Sequence, residues 1–247
     1  MDGVGKGVFT IIDALYHSNE PIFATLSWPH ITWLLLVLCV AILLVRNAEK
    51  IQKTKLKHYL RYIFISIIVV QQVLLYSWYA MNHEWYASDA LPLYPCRLTT
   101  LLVLMMLIIK RPLLLSFTFY WGLIGAFLAL LSPETGQLGF PNAMFIQFFM
   151  GHSALFLGVI YLAILFQFTV NEKALYKVYR QSLVYFGLLL MINTTFNTNY
   201  AYLRELPPSV FLNWVPSYPW YIPIEIAVIF ILFYLLYYVC QKWQREI

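Results

Sequence analysis

The segment ITWLLLVLCVAILLVRNAEKIQKTKLKHYLRYIFISIIVVQQVLLYSWYAM, residues 31–81, decides the fold class of this chain. Two apolar runs flank a short loop that carries six basic residues and one acidic residue. A helix of about 20 largely apolar residues crosses about 30 Å of hydrocarbon, and basic loops mark the cytoplasmic side. The segment therefore predicts two antiparallel transmembrane helices that are joined on the inside.

The rest of the chain repeats this pattern. Of its 247 residues, 62% are hydrophobic and 11% are charged, which is typical of a polytopic membrane protein. Because only helices and closed barrels satisfy their backbone in lipid, seven apolar runs of this length predict an all-α, seven-transmembrane-helix bundle. The predicted spans are Ile31–Val45, Tyr59–Met81, Pro92–Ile109, Pro112–Leu131, Asn142–Phe168, Ser182–Phe196 and Tyr218–Cys240.

The basic residues fix the predicted orientation. Thirteen of the sixteen lysines and arginines fall in alternate loops and in the C-terminal tail. The positive-inside rule then places the N-terminus outside and the C-terminus inside, in the cell membrane. Residues 1–25 are expected to form an extracytoplasmic surface segment with an interfacial helix over Gly7–Tyr16, and residues 26–247 a single transmembrane domain.

Several classes of function are disfavoured. The net charge of +5 belongs almost wholly to the cytoplasmic rim, where anionic headgroups account for it, and nothing suggests a nucleic-acid surface. Three cysteines lie in different spans without metal-ligand spacing. We therefore expect no metal, no cofactor and no nucleic acid.

Polar side chains cluster in the outer halves of five predicted spans. Such groups are expensive in hydrocarbon and usually face the bundle interior or a cavity. One interpretation is a polar cavity that opens to the outer leaflet, and the other is that these groups only hold helices together. The ionisable members Arg97, His152 and Glu225 favour a site, whereas Gln71, Gln72 and the threonines favour the second interpretation.

Cys96 is the candidate nucleophile, and His152 is the candidate base. Pro92 and Pro95 predict that a helix begins just before Cys96, where the helix dipole and Arg97 favour a thiolate. His152 is placed about 14 Å into the fifth span, where it is either the partner of a cysteine–histidine pair or a neutral hydrogen-bonding residue.

Three motifs resemble the YwaF family of bacterial integral membrane proteins. They are the run Leu91–Arg97 (LPLYPCR), the run Phe145–His152 (FIQFFMGH), and an outer loop with Asn199–Leu203 (NYAYL), Pro207-Pro208 and Pro219–Tyr221 (PWY). That family is similar to vertebrate transmembrane acyltransferases that move an acyl chain between phospholipids, especially onto ether lysophospholipids. A more distant similarity is to androgen-induced membrane hydrolases of fatty-acid esters.

The resemblance implies an acyltransferase that acts on membrane phospholipids or lysolipids, with Cys96 and His152 as the catalytic pair. Tyr94 departs from the family, many of whose bacterial members have histidine there. The residues expected to bind substrate or the oxyanion are Arg97, Thr99, Gln147, Asn199, Tyr200 and Glu225. Arg97 suits a lipid phosphate or, alternatively, pairs with Glu225. The rival interpretation is a lipid or small-molecule transporter, or an assembly partner of a cell-envelope enzyme.

Overall fold

The computed structural model describes residues 11–17, 22–206 and 215–246. Within these residues the protein is all-α, and seven long helices account for most of the chain. The helices are α1 (Trp28–Arg46), α2 (Leu56–Met81), α3 (Pro95–Ile109), α4 (Leu115–Leu131), α5 (Ala143–Leu165), α6 (Glu172–Phe196) and α7 (Tyr221–Glu246). Short helices at Ala48–Lys53 and Ala87–Ala90 and a 3₁₀ turn at Tyr200–Tyr202 lie between them.

Four of the seven helices are long and apolar enough to cross a membrane: α1, α2, α5 and α7, the last counted to Lys242. The helices α3 and α4 are apolar but have only 15 and 17 residues. The helix α6 has 25 residues, but its first third carries Glu172, Lys173, Lys177 and Arg180. The sequence places the start of this span at Ser182, and the structure extends the helix ten residues further because charged residues continue a helix readily outside an apolar layer.

Long helices that follow one another in the chain run in opposite directions. At the end of the bundle that carries most lysines and arginines, the basic end, Gln52 before α2 donates a hydrogen bond to the carbonyl of Ile164 near the end of α5 (2.8 Å). At the opposite, upper end, the His30 ring at the start of α1 lies 2.7 Å from the carbonyl of Leu130 at the end of α4. This up-and-down arrangement brings the polar ends of α2, α3, α5 and α6 together.

The helix α5 is the centre of the bundle and packs against α1, α2, α3 and α4. Half of its most apolar stretch is buried, compared with 11% for the similarly apolar α7, because four other long helices surround α5. Leu155, Val159 and Leu162 of α5 are fully buried in the main core. By contrast, α7 exposes residues such as Ile231 and Val239, as expected of a helix that faces lipid.

The N-terminal prediction is only partly within the described residues. Residues 11–16 are helical, and the Tyr16 hydroxyl lies 3.0 Å from the Ser77 hydroxyl of α2. Residues 7–10 of the expected interfacial helix lie outside the described residues.

Candidate functional site

A cavity of about 670 Å³ lies at the upper end of the bundle. Side chains from α2, α3, α4, α5, α7 and the Tyr200–Tyr202 turn line it, so it is enclosed by six elements of the fold. Its ionisable, thiol and amide lining comprises Gln71, Gln72, Cys96, Arg97, Glu134, Gln147, His152 and Glu225. Cys96, Arg97, Gln147, His152 and Glu225, which the sequence singles out, therefore share one cavity.

Cys96 is the second residue of α3, directly after Pro95, and the extended residue Tyr94 precedes the helix. Its sulfur lies against α4, where a Cβ added to Gly125 would be only 2.9 Å from Sγ. The hydroxyls of Thr99 and Thr100 both donate to the carbonyl of Cys96, at 3.1 and 2.8 Å. The first turn of α3 is thus held by its own side chains, and Cys96 is one of the residues that line the cavity.

Arg97 is held between two tyrosine rings. Its guanidinium donates a hydrogen bond to the Tyr79 hydroxyl and lies 5.5 Å from the centre of the Tyr79 ring and 5.7 Å from that of Tyr94. Cation–π contacts of this kind hold a guanidinium in a fixed position beside the aromatic rings. Tyr94, where the family pattern often has histidine, therefore helps to hold Arg97.

The two ring nitrogens of His152 differ in their surroundings, because among the described residues only Nδ1 contacts a backbone carbonyl. Nδ1 lies 2.9 Å from the carbonyl oxygen of Phe148, and the imidazole rests on the Phe148 ring with centroids 4.2 Å apart. Because a carbonyl only accepts, Nδ1 carries the proton of the neutral ring and Nε2 carries the lone pair. No hydrogen-bond partner for Nε2 is found within the described residues, so this nitrogen is available as a base.

His30 provides a contrast at the same end of the bundle. The backbone N–H of Leu26 donates to its Nδ1 (3.0 Å), and its Nε2 lies 2.7 Å from the carbonyl of Leu130. His30 is 1% exposed, and both of its ring nitrogens are hydrogen-bonded to backbone. It therefore joins α1 to α4 and has no ring nitrogen available as an acid or a base.

A chain of amides links α2 to α5 along one wall of the cavity. Gln72 donates to Gln71 (2.7 Å), and Gln71 donates to Gln147 (2.9 Å). The side-chain nitrogen of Gln147 in turn donates to the sulfur of Met144, which is a weak acceptor and its partner among the described residues. Gly151 allows the close approach, because a Cβ there would be 2.9 Å from the Gln71 side chain. Both sequence interpretations thus apply, since these groups join helices and also line the cavity.

Glu225 lies on the α7 side of the cavity. One of its carboxylate oxygens is buried without a hydrogen-bond partner among the described residues. The ion pair that the described residues form is Lys53–Glu49, so the alternative pairing of Arg97 with Glu225 is not present. A buried acceptor beside a cavity suits a hydrogen-bond donor from a bound molecule.

Thr99, Asn199 and Tyr200 do not line the cavity. Thr99 is fully buried and also donates to the carbonyl of Pro95 (2.7 Å). Asn199 organises the loop after α6, where its amide donates to the carbonyl of Glu205 (2.7 Å). Tyr200 is fully buried, and its ring packs on Tyr94. Their assignment to substrate binding stays a prediction.

Four lining residues with polar side-chain atoms are not among those proposed from the sequence: Trp121, Ser132, Glu134 and Tyr202. Burial, and to a smaller degree the Glu134 carboxylate that accepts a hydrogen bond from the hydroxyl, raises the pKa of Tyr202. Glu134, an acidic residue in the loop after α4, is the one of these four that could have been proposed from the sequence. No sequence pattern points to Trp121, which lies in the largely apolar helix α4. Its N–H donates to the Ser182 hydroxyl of α6 (2.8 Å).

The described residues contain no cluster of three or more histidine, cysteine, aspartate or glutamate side chains able to hold a metal ion. The helical bundle and its polar cavity define a multi-pass membrane protein. The chain belongs to the TMEM164 family, whose family model matches residues 25–237. Comparisons with curated proteins and with solved structures found no match. The resemblance to the YwaF family stays a prediction.

Proposed function

We propose that this protein is a membrane-embedded acyltransferase that moves a fatty acyl chain between lipids through Cys96 and His152. Nε2 of His152 takes the thiol proton as Sγ of Cys96 attacks the ester carbonyl of a phospholipid. The tetrahedral intermediate collapses to a thioester, and the imidazolium returns the proton to the departing lysolipid alkoxide. An acceptor hydroxyl or amine then attacks the thioester, and its proton passes through His152 back to the cysteine sulfur.

One observation carries this proposal: the cavity contains a thiol, a guanidinium and an imidazole whose free nitrogen has its lone pair available. A nucleophile and a base that line one cavity are the minimum for covalent acyl transfer. Burial between the helices supplies the surroundings in which a thioester survives hydrolysis long enough to meet an acceptor.

Three further residues bind the substrate in this proposal. Arg97 binds the lipid phosphate, because a planar guanidinium matches the geometry of phosphate oxygens. The side-chain N–H of Gln147, whose acceptor among the described residues is the thioether of Met144, donates to the oxyanion. Glu225 accepts a hydrogen bond from the substrate at its unpartnered oxygen. The donors first suggested by the sequence, Thr99 and Asn199, are engaged with backbone carbonyls.

The proposal includes a location. All seven long helices span the cell membrane, with the N-terminus outside and the C-terminus inside, so the cavity opens toward the extracytoplasmic side. The concentration of lysine and arginine at the basic end supports this orientation through the positive-inside rule. Membrane phospholipids and lysolipids are the expected partners, and their ester groups would enter from the outer leaflet.

A trapping experiment tests the covalent step. Purified protein supplied with a phospholipid labelled in its acyl chain should retain label as a hydroxylamine-sensitive thioester. Cys96→Ala should abolish the label. His152→Ala should slow labelling by about 100-fold, the usual scale for loss of a general base. Cys39→Ala is the matched control, because Cys39 is exposed on α1 away from the cavity, and should leave labelling unchanged.

Two outcomes would overturn the proposal. Wild-type lipid remodelling by the Cys96→Ala variant would eliminate the covalent mechanism. A folded wild-type protein that binds phospholipid but transfers no acyl chain would favour the rival, a transporter or an assembly partner of a cell-envelope enzyme.

A further inference from the structure

A second groove, of about 850 Å³, lies between α3, α4 and α6. It shares no lining residue with the Cys96 cavity. One end lies at the basic end of the bundle, where α6 begins, and the groove continues along α6 toward its middle. Its lining consists of Leu98, Leu102, Leu114, Phe117, Lys173, Tyr176, Lys177, Arg180, Gln181, Val184, Tyr185 and Leu188.

Three cations form a stripe at the basic end of this groove. Lys173, Lys177 and Arg180 follow one another at four and three residues along α6 and therefore share one face of the helix. All three are exposed, and the described residues provide no carboxylate within ion-pair distance of any of them. The stripe thus presents three positive charges that the fold itself does not neutralise.

The same face continues as an apolar channel. Val184 and Leu188 of α6 continue the stripe, and Leu98, Leu102 and Phe117 form the opposite wall. From Arg180 to Leu188 the helix rises by about 12 Å, which is most of the roughly 15 Å half-thickness of the hydrocarbon core. A cationic end that leads into an apolar channel of this length matches an anionic headgroup with an attached acyl chain.

Gln181 adds an independent observation. Its side-chain oxygen is buried in the groove lining and has no hydrogen-bond partner among the described residues. A buried amide oxygen without a donor is unfavourable by itself, and a hydroxyl group on a bound molecule would relieve it. The ligand that fits therefore carries a negative charge, a hydroxyl donor and an apolar chain.

We propose that this groove binds a membrane phospholipid whose headgroup is anionic and carries a hydroxyl, with phosphatidylglycerol as the representative. Its phosphate contacts Lys173, Lys177 and Arg180, its headgroup hydroxyl donates to Gln181, and one acyl chain lies along Val184 and Leu188. This lipid belongs to the leaflet at the basic end and is separate from any substrate in the Cys96 cavity.

Titration of the full-length protein with phosphatidylglycerol or phosphatidylcholine in a non-ionic detergent, followed by native mass spectrometry, tests the charge contacts. Phosphatidylglycerol should bind more tightly, and replacing one cation with glutamine should weaken binding by about fivefold. The Lys173→Gln, Lys177→Gln, Arg180→Gln triple variant should approach the affinity of phosphatidylcholine. The matched control is Arg46→Gln, Lys50→Gln, Lys55→Gln, which removes three exposed cations outside the groove and should retain the preference.

Two neutral substitutions test the channel and the hydroxyl contact. Val184→Trp fills the channel and should weaken phosphatidylglycerol binding about tenfold, whereas Leu183→Trp, on an exposed position outside the groove, should not. Phosphatidylmethanol has the same charge but no hydroxyl, so the wild type should prefer phosphatidylglycerol by about threefold to tenfold. Gln181→Leu should remove that preference.

Equal binding of phosphatidylglycerol and phosphatidylcholine to the wild type would overturn the proposal. Equal losses in the two triple variants would show that only general surface charge attracts the lipid, and would overturn it also. Neither result would bear on acyl transfer by Cys96, which the thioester experiment measures separately.

Discussion

Gly125 lies where the candidate nucleophile needs space. A methyl group at this position would be 2.9 Å from the Cys96 sulfur, so Gly125→Ala must displace the thiol. Because small displacements of reacting groups cost about 100-fold in rate, we expect thioester formation to fall by about tenfold to 100-fold while the bundle stays folded. Labelling rates with the acyl-labelled phospholipid measure the effect.

Gly187→Ala is the matched control for this prediction. A Cβ at Gly187 would have no neighbour within 4 Å, and alanine in a helix is favoured over glycine by about 0.5–1 kcal/mol. This variant should label at the wild-type rate and be slightly more stable. Equal rates for Gly125→Ala and the wild type would contradict an attack by Cys96.

The sequence predicts a lining residue of the cavity where burial of its side chain in an apolar layer is energetically unfavourable. It does not show whether a polar side chain is already hydrogen-bonded to nearby backbone. Arg97 and His152 stand out because ionisable groups are rare in spans. Thr99 and Asn199 are polar but not ionisable, and their donors go to nearby backbone carbonyls. Local hydrogen bonds of this kind follow from backbone geometry, which a pattern of residue types does not contain.

At the scale of elements, apolar runs predict most helix starts within a few residues, but not the start of α6, where charged residues extend the helix. The start of α5 is expected at Asn142, and the structure has Asn142 as the N-cap, with its side chain accepting from the N–H of Met144 (2.9 Å). The start of α3 is expected at Leu93 to Pro95 and lies at Pro95. The Tyr200–Tyr202 turn and the short helices were not predicted, because they depend on contacts between distant segments.

Asn193 shows how one side chain joins two elements. Its amide near the end of α6 donates to the carbonyl of Tyr200 (3.0 Å), and its oxygen accepts from the N–H of Tyr200 (2.8 Å) and from Thr198 (2.9 Å). Asn193→Leu should lower the free energy of unfolding by about 1–3 kcal/mol for each backbone group left without a partner. Thermal unfolding in detergent measures this loss.

Thr194→Ala is the control on the same turn of α6, since Thr194 is exposed and its hydroxyl only bonds back to its own helix. Its unfolding temperature should match the wild type. A similar loss in both variants would mean that the loop after α6 does not depend on Asn193.

At the scale of the whole molecule, the orientation in the membrane is open to direct measurement. In a variant without Cys39, Cys96 and Cys240, a cysteine at Gln137, which is exposed at the upper end, should react with a membrane-impermeant thiol reagent on intact cells. A cysteine at Lys55, at the basic end, should react only after permeabilisation. Reaction of the Lys55 variant on intact cells would reverse the proposed orientation.

In the proposed seven-span arrangement, the shortness of α3 and α4 has a consequence for the surrounding lipid. Helices of 15 and 17 residues are about 23 and 25 Å long, several ångströms less than the roughly 30 Å hydrocarbon core. A bilayer adapts to such hydrophobic mismatch by thinning locally, at a fraction of a kcal/mol per ångström. Thinning beside α3 would lower the glycerol backbones of adjacent lipids toward the first turn of that helix, so the membrane itself would bring an ester closer to Cys96.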